Sequence, residues 1–243
     1  MKAVAASALI CAVSALSPAS LANADRSDKQ VLRETGSSFG DCVAEKHYPD
    51  AVAYILESPD NRTAAKKYRK LIDSKCMSEA IEGTSISGVR FSGNTFAFAI
   101  AESLVRRDFA SSGPQTFSDR APLVHRALEP EDEAALAKLS EKKRAEADKD
   151  RMRDRAWLLI SKFGECAVRL APEPTRMLAQ TRVGTPDEWT LLKEMAPNFS
   201  ACLPNGVELK FQPLQLRGTL MANYFRLASA PQVQREQVLE ASE

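Results

Sequence analysis

Phe39-Gly40-Asp41-Cys42 and Phe163-Gly164-Glu165-Cys166 are two copies of one block, and each is followed by a second cysteine, Cys76 or Cys202. A shift of 124 residues lays Phe39 on Phe163, and a shift of 126 lays Ser74-Lys75-Cys76 on Ser200-Ala201-Cys202. After a shorter loop, a shift of 120 matches Val89-Arg90-Phe91 to Leu209-Lys210-Phe211, and the apolar run around Leu104 to the one around Tyr224. Self-similarity of this kind decides architecture before any local signal does. Two units are fewer than a solenoid needs, so the expectation is a pseudo-symmetric pair.

The start of the chain sets the compartment. Lys2, an apolar run over residues 3–16, Pro18 and Ala22-Asn23-Ala24 have the order of a secretory signal with an A-x-A cleavage site. A membrane anchor would need about 20 unbroken apolar residues, and Ser14, Ser17, Pro18 and Ser20 interrupt the run. The expected address is therefore periplasmic or secreted after cleavage near Ala24, with no stable membrane span left. Removing Lys2 from 33 basic residues leaves 32 against 32 acidic ones. That balance argues against a nucleic-acid partner, which a basic stripe would attract, and 44% apolar content argues against disorder.

Of five cysteines Cys11 leaves with the signal, and an even number in an exported chain reads as disulfides. Four cysteines allow three connectivities. The duplication favours Cys42–Cys76 and Cys166–Cys202, because an ancestral single unit would have been closed by its own pair. Each bridge closes a loop of about 35 residues, worth about 3 to 4 kcal/mol in the chain-entropy model. With no C-x-x-C and no histidine nearby, no metal or cofactor is expected.

Periodicity makes both units helical. Phe39, Cys42 and Val43 share a face; residues 49–57 read as a short helix, 63–73 as a third that delivers Cys76 past its end, and 94–105 as a strong fourth. The glycine-rich stretch 83–93 lacks the Gly-Lys-Ser/Thr ending of a phosphate loop and reads as a loop with an extended segment. Residues 110–129 have linker composition. From Pro130 to Leu170 only Gly164 interrupts a helical pattern, first a charged solvated face and then, from Ala156, a core element. Pro172 opens the next helix. Thr185-Pro186-Asp187-Glu188 reads as a capping box for a helix stopping before Pro197. Residues 207–211 read as a short strand or extended link, and 214–227 as the closing helix. The fold expected is all-α: two tandem homologous helical bundles, each with one intra-repeat disulfide, plus a long charged linking helix. The division is signal 1–24, first repeat 25–110, linker and charged helix 111–150, second repeat 151–230 and tail 231–243.

Phe163-Gly164-Glu165-Cys166, Cys202-Leu203-Pro204 and Leu216-Arg217-Gly218 together resemble a group of small, helical, exported alphaproteobacterial proteins without an assigned activity. The resemblance covers the second unit. In the first, no Leu-Pro follows Cys76, and Ala97-Phe98 stand where Arg217-Gly218 would be. It implies a bacterial envelope address and no mechanism.

Few residues invite chemistry, and no catalytic residue is assigned. His47 and His125 lie in no recognised motif. Asp41 and Glu165 hold equivalent positions, but acid–base work would need the repeats to bring them together across the pseudo-twofold axis. A structural salt bridge is favoured, with Arg217 as cation and Glu165 as its acid. Trp157, Trp189, Phe163, Phe211 and Phe225 read as core rather than a ligand box. Asn61-Arg62-Thr63 and Asn198-Phe199-Ser200 match a glycosylation sequon by chance in a bacterial protein. The leading expectation is a non-enzymatic envelope module that binds or organises an envelope protein or cell-wall component. The alternative is a carrier of a lipid-like apolar ligand enclosed between the two bundles, which a sizeable closed cavity lined by Phe96, Phe98, Ile100 and their second-unit equivalents would favour. Third comes a hydrolase, which requires His47 or a perturbed carboxylate to meet a nucleophile in a cleft.

Overall fold

The computed structural model describes residues 28–57, 66–86, 89, 91, 94–128, 132, 136–204, 206–207 and 210–232. The signal segment, Asn61, Pro130 and the tail beyond residue 232 lie outside them, as do parts of the glycine-rich and 207–211 stretches. Eight α-helices carry the fold, with no strand among the described residues: α1 Asp28–Lys46, α2 Tyr48–Leu56, α3 Ser74–Ile81, α4 Thr95–Phe109, α5 Glu141–Leu170, α6 Pro172–Gln180, α7 Pro186–Ala201 and α8 Pro213–Ser229. Cys42 is bonded to Cys76 and Cys166 to Cys202.

At the centre α4 crosses α8, the most extensive helix pairing described. Both are buried on every side, over residues 97–105 in α4 and 217–227 in α8, as befits helices with no strong polar face. Around them the neighbours correspond: α1 packs on α4 as α5 packs on α8, α3 on α1 as α7 on α5, and α2 touches α8 as α6 touches α4. A single apolar cluster runs through all of this, from Phe39 to Leu227. The halves share one core.

The glycines of the FGxC blocks make the crossings close. A Cβ on Gly40 would lie 2.3 Å from the Ala99 carbonyl oxygen of α4, and one on Gly164 would lie 2.4 Å from Asn223 Nδ2 and 2.5 Å from Thr219 Cγ2 of α8. Just before each glycine a phenylalanine stacks tilted on its partner: Phe39 on Phe91 at 4.9 Å, Phe163 on Phe211 at 4.8 Å. Above both crossings a polar side chain turns back on its own helix. Ser103 Oγ donates to the Ala99 carbonyl at 3.1 Å, and Asn223 Nδ2 to the Thr219 carbonyl at 2.9 Å.

Several local expectations need correction. The helix expected over 63–73 is described only from residue 66: residues 66–67 are helical, a 3-10 turn Arg69–Leu71 follows, and Cys76 belongs to the next helix. It sits in the first turn of α3, where the Asp73 carboxylate accepts from the Lys75 and Cys76 N–H groups and caps the helix. Helix α7 continues through Pro197 to Ala201. The proline lies on the solvent side, so the carbonyl it leaves unpaired, that of Lys193, can be hydrated. Trp189 is not core: it is 45% exposed, whereas Phe163 and Phe225 are buried and Trp157 and Phe211 half-buried against the core.

At the α4–α8 crossing a Cβ on Gly218 would fall 2.2 Å from Phe98 Cγ. Gly218→Ala is expected to lower stability by about 1–3 kcal/mol, with partial recovery in the Gly218→Ala/Phe98→Leu double variant, read from urea unfolding.

Candidate functional site

Arg217 is wholly enclosed, and its guanidinium places all five N–H groups. Nε and Nη2 make a two-pronged bond to Glu102 of α4, each 2.9 Å. Nη1 reaches Thr181 Oγ1 at 2.9 Å and Glu188 Oε1 at 3.5 Å, and Nη2 also reaches the Thr181 carbonyl at 2.8 Å. A charge can be buried only if paired and hydrogen-bonded in this way. The predicted partner is therefore wrong: Arg217 binds Glu102 and Glu188, not Glu165. Arg217 extends from α8 into the α4 interface, while Glu165 lies on α5 and faces the linker.

Glu188 is likewise wholly buried. Its Oε2 accepts from the Gly184 N–H at 2.6 Å and its Oε1 from Arg33 of α1. The capping-box reading fails because the two guanidiniums draw this carboxylate inward; Thr185 remains the N-cap residue but makes no side-chain cap. Glu102 also takes Arg106, whose Nη2 bridges Ser37 Oγ at 3.2 Å and Asp41 Oδ1 at 2.7 Å. Arg33 is less fully used: it donates to Glu188 alone, and its buried Nε has no acceptor.

Beside this cluster lies an open cleft of about 570 Å³ between α1, α4, the 183–184 turn and the start of α8. Leu32, Val89, Phe91, Phe98 and Leu214 form its apolar wall, and Lys29, Arg33 and Glu102 are its charged lining. The other half holds a counterpart. The repeat offsets carry Arg33, Gly36, Ser37, Ala99 and Glu102 onto Trp157, Ile160, Ser161, Thr219 and Ala222, all of which line a second recess of only about 20 Å³. Trp157, packed edge-on against Phe98 at 6.0 Å, and Ile160 fill the space that Arg33 and Gly36 leave open.

Both histidines have partners. His47 Nε2 lies 2.8 Å from Asp73 Oδ2, and that contact, with the Lys75 and Cys76 N–H groups, holds the Asp73 carboxyl at about 2. His125 sits between Ser161 Oγ, 2.9 Å from Nδ1, and Glu165 Oε2, 2.6 Å from Nε2. Burial acts to raise the Glu165 carboxyl, but hydrogen bonds from His125, the Leu123 N–H and Arg169 together with Arg169's charge bring it down to about 2. Serine, histidine and carboxylate in a row suggest nucleophilic catalysis. The surroundings suggest a clamp. Ser161 borders the recess of about 20 Å³, which has room for about one water and not for an acyl group. In the first half Arg106 bridges Ser37 and Asp41, the offset counterparts of Ser161 and Glu165. His125 takes up the equivalent bridge and thereby fastens the linker to α5. Arg169 adds bonds to the carbonyls of Phe117, Arg120 and Ala121, and Arg226 to that of Val124.

Asp41 and Glu165 thus have separate partners and do not form a carboxylate pair. Phe96 and Ile100 pack into the core, so only Phe98 of the three expected cavity residues lines the cleft. No cluster of His, Cys, Asp or Glu among the described residues could hold a metal ion, and no described helix is long and apolar enough to cross a membrane. Arg33, Gly36, Glu102 and Glu188 escaped the sequence reading. An acid within the apolar run of α4 was the one available signal. No family model, curated protein or solved structure matches the chain.

Arg217→Met leaves Glu102 and Glu188 buried with fewer cations and is expected to cost about 3–5 kcal/mol in urea unfolding. The depressed Glu165 carboxyl contributes stability that is present above its ordinary 4.5 and is lost as pH falls toward about 2. Glu165→Gln should flatten that part of the acid limb in thermal melts, leaving the contribution of Asp73, whose carboxyl titrates in the same window.

Proposed function

We propose that the chain is an exported, non-enzymatic binding module that holds a small, largely apolar ligand in the cleft between α1, α4 and α8. One observation carries this reading. Of two equivalent recesses, Trp157 and Ile160 plug one, while the other stays open at about 570 Å³, within the range of about 300–1,000 Å³ usual for ligand sites. The open recess has an apolar wall and a polar floor held in place by the Arg217 network. Two disulfides fit an oxidising compartment outside the cytoplasm, and residues 1–24 supply the export signal, with cleavage near Ala24 and a periplasmic or secreted product. A bacterial envelope is the setting that the FGxC, CLP and LRG pattern suggests. Within it, a ligand carrier accounts for the open cleft better than an organiser of envelope proteins or cell wall does, because a flat docking surface would not need a concavity beside a fixed polar floor.

Native mass spectrometry of protein recovered from the periplasm tests this, with Gly36→Ile as comparison. That substitution copies the plug at Ile160; an added Cβ meets nothing nearer than Phe91 Cε1 at 3.9 Å, and replacing a helical glycine favours the helix. The wild type should begin at Asp25 and carry a small-molecule adduct that the folded variant lacks. An adduct shared by both, or absent from both, overturns the cleft reading.

A further inference from the structure

Resting on that reading, we infer that the ligand is a single-chain amphiphile with a carboxylate head, a fatty acid in chemical class, whose head lies against Arg33 and Lys29 and whose chain lies along Phe91, Phe98, Leu32 and Leu214. The charges of the cleft select the head. Of its three charged lining residues, Glu102 is already committed, both oxygens taken by Arg217 and one also by Arg106. The other two are cations. Lys29 is exposed at the mouth. Arg33 spends one donor on Glu188 and keeps a buried Nε without an acceptor, which is costly for a charged donor until something accepts from it. A carboxylate oxygen supplies the charged acceptor that this Nε lacks.

The ends of two helices favour the same sign. Gln212, Pro213 and Leu214, at the start of α8, line the cleft, as does Thr95 at the start of α4. Neither N-cap side chain, Gln212 or Asn94, closes on its own helix. First-turn N–H groups and the positive dipole ends of helices with 17 and 15 residues therefore add to the two side-chain cations. The filled recess differs at these positions: where the open cleft has Arg33 and Glu102 it has Trp157 and Ala222, and the cation on its lining, Arg226, donates to the Val124 carbonyl. A neutral tail alone would gain nothing from Arg33, and a small anion alone would leave the aromatic wall wet.

Calorimetry on the delipidated mature chain with dodecanoate and with dodecanol tests the head and the tail separately, alongside Gly36→Ile and Arg33→Met. Dodecanoate should bind about tenfold or more tighter than dodecanol, Arg33→Met should remove most of that preference, and Gly36→Ile should abolish both. Equal affinity for the two ligands in the wild type, which needs no variant to fold, overturns the carboxylate assignment and leaves the cleft standing. Undiminished dodecanoate binding by Gly36→Ile puts the amphiphile elsewhere and overturns both. Binding of neither ligand by the wild type overturns the fatty-acid assignment, and the adduct in native spectra then decides whether the cleft has another occupant.

Discussion

Each position at the crossing of two central helices must suit the one that it meets. Where α4 crosses α8, Phe98 meets Gly218, and the 120-residue offset makes these two positions equivalents of each other. Two phenylalanines could not share that place, and two glycines would leave it hollow. One large and one absent side chain fill it. The halves therefore cannot be identical at the contact that joins them, and Arg217 against Ala97 and Glu102 against Ala222 are differences of the same kind one turn along.

That local asymmetry spreads outward. On one side of the crossing the Arg217–Glu102 pair needs further polar company, and Thr181, Glu188 and Arg33 supply it. The recess in front of them stays open where Gly36 carries no side chain to fill it. On the other side Ala97 and Ala222 ask for nothing polar. Trp157 and Ile160 close over that recess, and Thr219 Oγ1 and Asn223 Oδ1, buried without protein partners, are the only polar atoms of these two residues left unmatched there. The difference in packing at the centre thus accompanies the difference between the open and the filled recess.

The sequence revealed the helical class and both disulfide pairings, because each is written in short-range spacing: Phe39 to Val43 on one face, Pro49 and Pro172 at helix starts, and cysteines at matching offsets. It missed the break at residues 138–140 that delays α5 to Glu141. It misled where a side chain had two local uses. Glu188 has the spacing of a capping box, and only the long-range arrival of Arg33 and Arg217 turns it inward. Pro197 has the appearance of a stop, and only its solvent-facing position lets α7 run through. Trp189 follows helical spacing and yet stands exposed on α7. The cleft itself was illegible, since Gly36 acquires meaning only when set against Ile160 in space.

The linker shows how a polar clamp can imitate catalytic geometry. In the first half Arg106, rising from α4, spans Ser37 and Asp41 on α1 and ties the two helices together. The corresponding Arg226 of α8 instead holds the carbonyl of Val124, and the serine and acid of α5 are spanned by His125 from the linker. Residues 113–128 contain no helix or strand, so their backbone groups need partners from outside; Arg169, Glu165 and Arg226 provide them. The Ser–His–Glu row is a bridge between a helix and the strap laid across it, whereas Arg106 makes a bridge between two neighbouring helices. The tight carboxylate of the row follows from that role: together with the core packing of Phe117 and the Arg120–Gln232 bridge, the row fastens a segment that has no helix or strand of its own.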